Sequence, residues 1–165
     1  MLRLLAIPVL IIFILQGCCY TFSPGNPGNA QTFSVAFFEN RASLVNPNLS
    51  QFFTEGLKDK FLRQTSLKLI TEGEADMQLS GTITGYDVTP ASIQSNDQAQ
   101  LNRLTMTVQI KFVNSVDEEK SFEQTFSNFA DFPATETLSQ VETQLVQAIV
   151  EKLAQDIFNR AVINW

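Results

Sequence analysis

The segment LNRLTMTVQIKFVN (101–114) constrains the fold more than any other part of the chain. Leu104, Met106, Val108, Ile110 and Phe112 fall on one side of an extended backbone; Arg103, Thr105, Thr107, Gln109 and Lys111 fall on the other. Strand side chains alternate between faces, so this pattern predicts a long strand with one buried face and one face open to water or a partner. Such a sheet needs a second layer on its apolar side only. Two amphipathic segments supply it. Leu49, Phe52, Phe53, Gly56, Leu57 and Phe61 recur at helical spacing over 47–64. Leu138, Val141, Leu145, Ile149, Leu153, Ile157 and Ala161 do the same over 137–161, widened by Val146, Val150, Phe158 and Val162.

The helix ends carry their own signals. Asn46 reads as an N-cap with Pro47 at the first helical position. Thr137 and Gln140 have the spacing of a capping box, with Glu136 near the positive end of the dipole. Lys58, Lys60 and Arg63 fall near the C-terminal end of the first helix, where cations are favoured.

Four other segments read as strands. TFSVAFFEN (32–40) places Phe33, Val35 and Phe37 on one face, and LKLI (67–70) is a short strand. ADMQLSGTITGYDV (75–88) alternates Met77, Leu79 and Ile83 against polar residues, with Gly81 and Gly85 on the apolar face, where they permit a bend or a helix's close approach. A polar loop (89–100) leads into the 101–114 strand, an acidic turn (115–119) leaves it, and KSFEQTFSNF (120–129) returns as its hairpin partner until Pro133. The order β-α-β-β-β-β-α predicts an α+β two-layer sandwich: two helices on one face of a mixed sheet of roughly four to five strands. Its β-α-β start implies a right-handed parallel crossover, and the rest an antiparallel meander.

The N-terminal region decides where such a domain works. Residues 1–17 hold one cation, Arg3, then an apolar run interrupted by Pro8. The run is about half the length needed to span a bilayer, and the layout is that of a secretory signal peptide. Leu15-Gln16-Gly17-Cys18 resembles a bacterial lipobox, which makes Cys18 the expected acylated N-terminus; two or more chains anchor stably where one does not. The neighbouring Cys19 acquires no role, and a bond between adjacent cysteines would be strained. YTFSPGNPGNAQ (20–31) reads as a tether, so that 18–31 is lipidated terminus plus linker and 32–165 a single domain. The leader carries no acid, so losing it shifts the formal charge from −6 to −7, a balance that argues against nucleic acid as a partner.

Residue chemistry points away from catalysis. The chain has no histidine, and its two cysteines lie in the lipobox region, so neither the commonest general base nor a set of zinc ligands is at hand. Phosphate-binding glycine motifs are missing too. The acidic groups Asp117, Glu118, Glu119 and Glu72, Glu74, Asp76 read as solvated loops rather than paired catalytic carboxylates. No metal and no cofactor beyond the lipid on Cys18 is expected. Of the fourteen phenylalanines, Phe37, Phe52, Phe53, Phe61, Phe112, Phe122 and Phe126 are expected in the core, whereas Phe129 and Phe132 are candidates for an exposed edge.

The lipobox, SVAFFENRASLVNPNLSQFFTEGLKDKF, ADMQLSGTITGYDVTP and the closing amphipathic helix together resemble the LptE family of lipopolysaccharide-assembly lipoproteins, in the form found in Bacteroidetes. The resemblance covers essentially the whole mature chain; NRASLVNPNLSQFFTEGLKDKFLRQT is its most specific part. It implies a non-catalytic, periplasm-facing outer-membrane lipoprotein with triacyl (palmitate-bearing) anchoring. It also implies a domain that plugs the LptD barrel in the translocon inserting lipopolysaccharide into the outer leaflet. Family members are expected to contact lipopolysaccharide through basic residues; no motif marks those positions, and Arg103 and Lys111, on the polar face of the 101–114 strand, are the candidates. Two other readings stay open. One is an adaptor activating a cell-wall synthase, although 18–31 reaches at most ~45 Å when extended. The other is a carrier of a single amphiphile, which requires an apolar cavity.

Overall fold

The structure, a computed structural model, describes residues 27–44, 46–91 and 101–163. The signal peptide, Cys18, Cys19, most of the tether and positions 92–100 of the expected loop therefore lie outside the described residues. The long alternating segment forms β5 (Leu101–Asn114), flanked on both sides by antiparallel neighbours, β4 (Met77–Ala91) and β6 (Phe122–Pro133). Beyond β4 lie β1 (Thr32–Val35) and β3 (Lys68–Leu69), both running parallel, and β2 (Glu39–Asn40) also pairs parallel with β4. The sheet order is β3-β1-β4-β5-β6. Helices α1 (Leu49–Gln64) and α2 (Leu138–Val162) cover its apolar face, giving the expected α+β sandwich with one more short strand than expected. A 3-10 turn at Glu118–Lys120 joins β5 to β6.

The predicted 32–40 strand is interrupted. Val35 pairs with Leu79 but Glu39 with Thr82, so one extra residue is accommodated at 36–38. There the Phe38 N–H leaves the ladder and donates to Thr54 Oγ1 on α1 at 3.2 Å. The extra residue inverts the alternation: Phe38 is fully buried and Phe37 is 64% exposed, the reverse of the sequence expectation. A second irregularity falls at Thr84, between Ile83↔Val108 and Gly85↔Thr107. It carries Tyr86 into the core and leaves Gly85 opposite Thr107 on the outer face, so Gly85 is not on the apolar side. Gly81 does face the core, but what approaches it is the Gln109 carbonyl and the Phe38 ring, not a helix; a Cβ there would lie 1.9 Å from that oxygen.

Helix α1 begins two residues later than its Asn-Pro signal implies. Asn46 Oδ1 accepts the Asn48 N–H at 2.9 Å, and its amide donates to Glu142 on α2 at 2.9 Å, so the side chain is used in a turn and a tie rather than a cap. The capping box at α2 is present, with the Thr137 N–H donating to Gln140 Oε1 at 3.0 Å. The two helices run in the same direction. Asn46 meets Glu142 at one end, Gly56 faces Val150 midway, and Phe61 meets Phe158 at the other end, with ring centroids 5.2 Å apart. Gly56 permits this approach, since a Cβ there would meet Val150 Cγ1 at 2.5 Å.

Aromatic rings fill the space between the layers. Phe33 stacks on Phe61 at 5.5 Å and Phe38 meets Phe53 edge-on at 4.9 Å. Phe53, Phe61 and Phe112 are buried as expected, Phe122 and Phe126 half-buried, and Phe52 exposed because Phe53 takes the inward position on α1. Phe132, expected at an edge, is buried in the core; Phe129 is exposed as expected.

Candidate functional site

The outer sheet face is the surface that the helices leave open. From β4, β5 and β6 it presents Ser80, Thr82, Thr105, Thr107, Thr125 and Ser127, with the two predicted cations set among these hydroxyls. Arg103 and Asp131 are cross-strand partners and form a two-pronged ion pair: Nε donates to Oδ1 at 2.7 Å and Nη2 to Oδ2 at 2.9 Å. The guanidinium also lies 3.6 Å from the Phe129 ring centroid. The hydrogen bond from Arg103 holds the Asp131 carboxyl below the usual carboxylate range. A guanidinium whose fork and face are both engaged has little left to offer a phosphate.

Lys111 differs. It is exposed on the same face, opposite Ser80 and Glu123, and makes no ion pair among the described residues. Eight strand positions separate it from Arg103, about 26 Å at the usual rise. The structure therefore does not bring the two predicted cations together.

The free edge of β6 is partly closed. The Phe129 N–H is satisfied by Asn128 Oδ1 at 2.9 Å and its carbonyl by Lys152 Nζ of α2 at 3.3 Å. A lysine reaching over an edge strand is a common defence against strand addition.

The opposite arrangement is found where β4, β5 and β6 run on past the first turns of both helices. An open groove of about 960 Å³ lies there, floored by Leu44, Tyr86, Val88, Phe132 and Leu138. The Tyr86 hydroxyl, pushed up by burial and then by the neighbouring carboxylate, donates to Glu142 Oε1 at 2.6 Å. Asn46 donates to the same oxygen, so β4, the chain before α1, and α2 are tied at one atom. No sequence signal marks this groove, because the irregularity at Thr84 decides which β4 residues face it.

The fold recurs among solved bacterial proteins. A hypothetical protein from Chlamydia trachomatis superposes with a TM-score of 0.52 at 12% identity, covering 79% of this chain and 95% of that one. The solution structure of uncharacterized lipoprotein B from Nitrosomonas europaea gives 0.51 at 12% identity, covering 78% and 79%. These likenesses show the architecture alone: a two-layer α+β domain of a kind found in bacterial lipoproteins. A search of curated proteins finds no sequence match. The LptE lipopolysaccharide-assembly family profile matches residues 30–161, nearly the whole domain, and the chain belongs to that family. Membership assigns it a role in lipopolysaccharide assembly, in a family of outer-membrane lipoproteins. Among the described residues no helix is long and apolar enough to cross a membrane.

Proposed function

We propose that this chain is the lipid-anchored plug of an LptD-type outer-membrane barrel, supporting insertion of lipopolysaccharide into the outer leaflet without catalysis or cofactor of its own. The family match over residues 30–161 carries the reading. The polar outer sheet face suits a domain enclosed by a water-filled barrel, whose interior is polar. Cys18 is the anchor: Cys18→Ala leaves the precursor unprocessed and the domain unattached. Of the two cations proposed to meet lipopolysaccharide, Lys111 is the better placed, because Arg103 is already committed to Asp131.

The test is affinity purification of the tagged, lipidated chain from its own outer membranes, followed by depletion of the chain in cells. Recovery of a large barrel in stoichiometric amount, with loss of surface lipopolysaccharide on depletion, is the expected pair of results. Unchanged surface lipopolysaccharide would refute the assignment.

A further inference from the structure

Among the described residues β6 is the long strand with a free edge; β2 and β3, on the far side of the sheet, have two residues each. The register shows which β6 backbone groups point away from the sheet. Ala36 and Arg41 donate their N–H groups to the Leu79 and Ile83 carbonyls. Odd-numbered β4 residues before Thr84 therefore turn their backbone toward β1 and β2, and even-numbered ones toward β5. Ser80 pairs with Lys111, and the next β5 residue, Ile110, pairs with Gln124. Even-numbered β6 residues thus bond β5, and odd-numbered ones face outward. Glu123, Thr125 and Ser127 present three N–H and three C=O groups along this edge. Among the described residues no hydrogen bond from beyond the sheet reaches them. The edge is closed only farther on, at Phe129, by Asn128 and Lys152. Residues 122–127 contain no Lys, Arg or Pro, the usual protections of an open edge.

Such a row of backbone groups accepts an extended chain. The side chains narrow the choice. Phe122 and Phe126 are half-buried on the helix side, with the exposed Gln124 between them, while Glu123, Thr125 and Ser127 are exposed on the outer face. A fitting strand carries apolar residues toward α2 and polar ones outward, which β6 itself does. Laid antiparallel on a copy of itself about Thr125, it sets Thr125 opposite Thr125, Glu123 opposite Ser127 and Phe122 opposite Asn128. No like charges meet. The last pairing also brings in α2. The Arg160 guanidinium lies 4.6 Å from the Phe122 ring centroid, and Asp156 accepts the Asn128 amide at 3.2 Å. Neither charge has an ion-pair partner among the described residues. The same twofold axis therefore carries Arg160 of each copy to Asp156 of the other.

We infer that β6 pairs with β6 of a second copy of this chain, joining two sheets edge to edge. Three outward residues on each strand form about six backbone hydrogen bonds, flanked by the two Arg160–Asp156 contacts. The interface is small, so the dimer is reversible. The inference does not rest on the barrel reading: it concerns the chain before a barrel encloses it, when the edge is otherwise open to indiscriminate strand addition.

Disulfide trapping of the full chain in its own membranes tests this. In a Cys19→Ser background, Thr125→Cys places a thiol opposite its own copy, with Cα atoms about 5.5 Å apart, within disulfide reach. Mild oxidation should give a covalent dimer of twice the chain's mass. Thr82→Cys, on the outer face of β4, should give none. Adding Ser127→Glu sets an acid opposite Glu123 of the other copy and should cut the dimer yield about fivefold; adding Glu123→Lys as well should restore it. Positions 123, 125 and 127 are exposed, so thermal melts matching the parent show that the variants are folded. No dimer from folded Thr125→Cys, equal yield from Thr82→Cys, a yield indifferent to Ser127→Glu, or an adduct to a different protein would each overturn the self-pairing.

Discussion

The two ends of the sandwich are built on opposite plans. At the tether end the chain is closed. Phe33, Phe61 and Phe158 stack across the layers, and Asp76 clips the first strand to β4. At the far end the sheet outruns its helices, and the closure consists of one three-way tie, Tyr86 and Asn46 on Glu142, beside an open groove. On the proposed anchoring through Cys18, the closed end is the one nearest the membrane, while the open end keeps Leu44 and Val88 exposed. The comparison breaks if the two ends prove equally stable.

The largest expected effect is at the closed end. Phe61 is fully buried and touches both Phe33 and Phe158, so Phe61→Ala should destabilise the domain by about 3–5 kcal/mol. A lowered urea midpoint at unchanged slope would show it. Because α1 and α2 share one continuous core, hydrogen exchange should accelerate at both ends together. Acceleration confined to the tether end would mean the two ends unfold separately.

Between the ends, Gly81 holds β4 against β5. A methyl group there would lie 1.9 Å from the Gln109 backbone oxygen, which cannot retreat without opening the ladder. Gly81→Ala should cost about 1–3 kcal/mol, read as a lower melting temperature. A melt unchanged from the parent would mean the strands re-register freely, and the distinction between a fixed and an open end would lose its basis.

At the open end the effect should be smaller and local. Tyr86→Phe removes the donor to Glu142 and leaves Asn46 as that oxygen's remaining partner, a loss of about 1 kcal/mol. Exchange should quicken in residues 41–48 and the first turn of α2, with the Phe33–Phe61 region unchanged. Equal quickening at both ends would contradict the proposed asymmetry.

What was legible in the sequence follows this same division. Periodic elements declared themselves: β5's alternation, both helical stripes, the α2 capping box and the β-α-β start all stand in the structure. Deviations by a single residue did not. Nothing in TFSVAFFEN distinguishes Phe37 from Phe38 as the core residue, because the choice is made by Thr54 on α1 drawing off a backbone N–H. Nor does GTITGY announce that Thr84 is an extra residue, although Tyr86's burial and the groove both depend on it. Asn46 carries a valid cap signal but is claimed by Glu142, a long-range partner. Arg103 and Lys111 were readable as facing out together, but not that Asp131 would neutralise only one of them. Local patterns set the layers; cross-layer hydrogen bonds set the site, and these leave no periodic trace.

The subtlest prediction concerns Asp76, which looked like one of three acids in a solvated loop. Its Oδ2 accepts the Gln31 N–H at 2.8 Å, the Thr32 N–H at 3.0 Å and the Thr32 hydroxyl at 2.9 Å. Those bonds, the Gln31 amide foremost, hold its carboxyl below the ordinary range. A carboxyl that is more acidic in the folded state than in the unfolded one stabilises the fold above its unfolded pKa, near 4, and that contribution fades as pH falls through the lower folded value. The group is solvent-accessible, so the effect is small, and it resides wholly at the tether end. Asp76→Asn should therefore lower the melting temperature slightly at pH 7, with the difference from the parent shrinking as the pH drops below about 4. Exchange at Gln31 and Thr32 should quicken in the variant while residues 41–48 stay as protected as in the parent. A difference that persists undiminished into acid would show that the clip works through shape rather than charge.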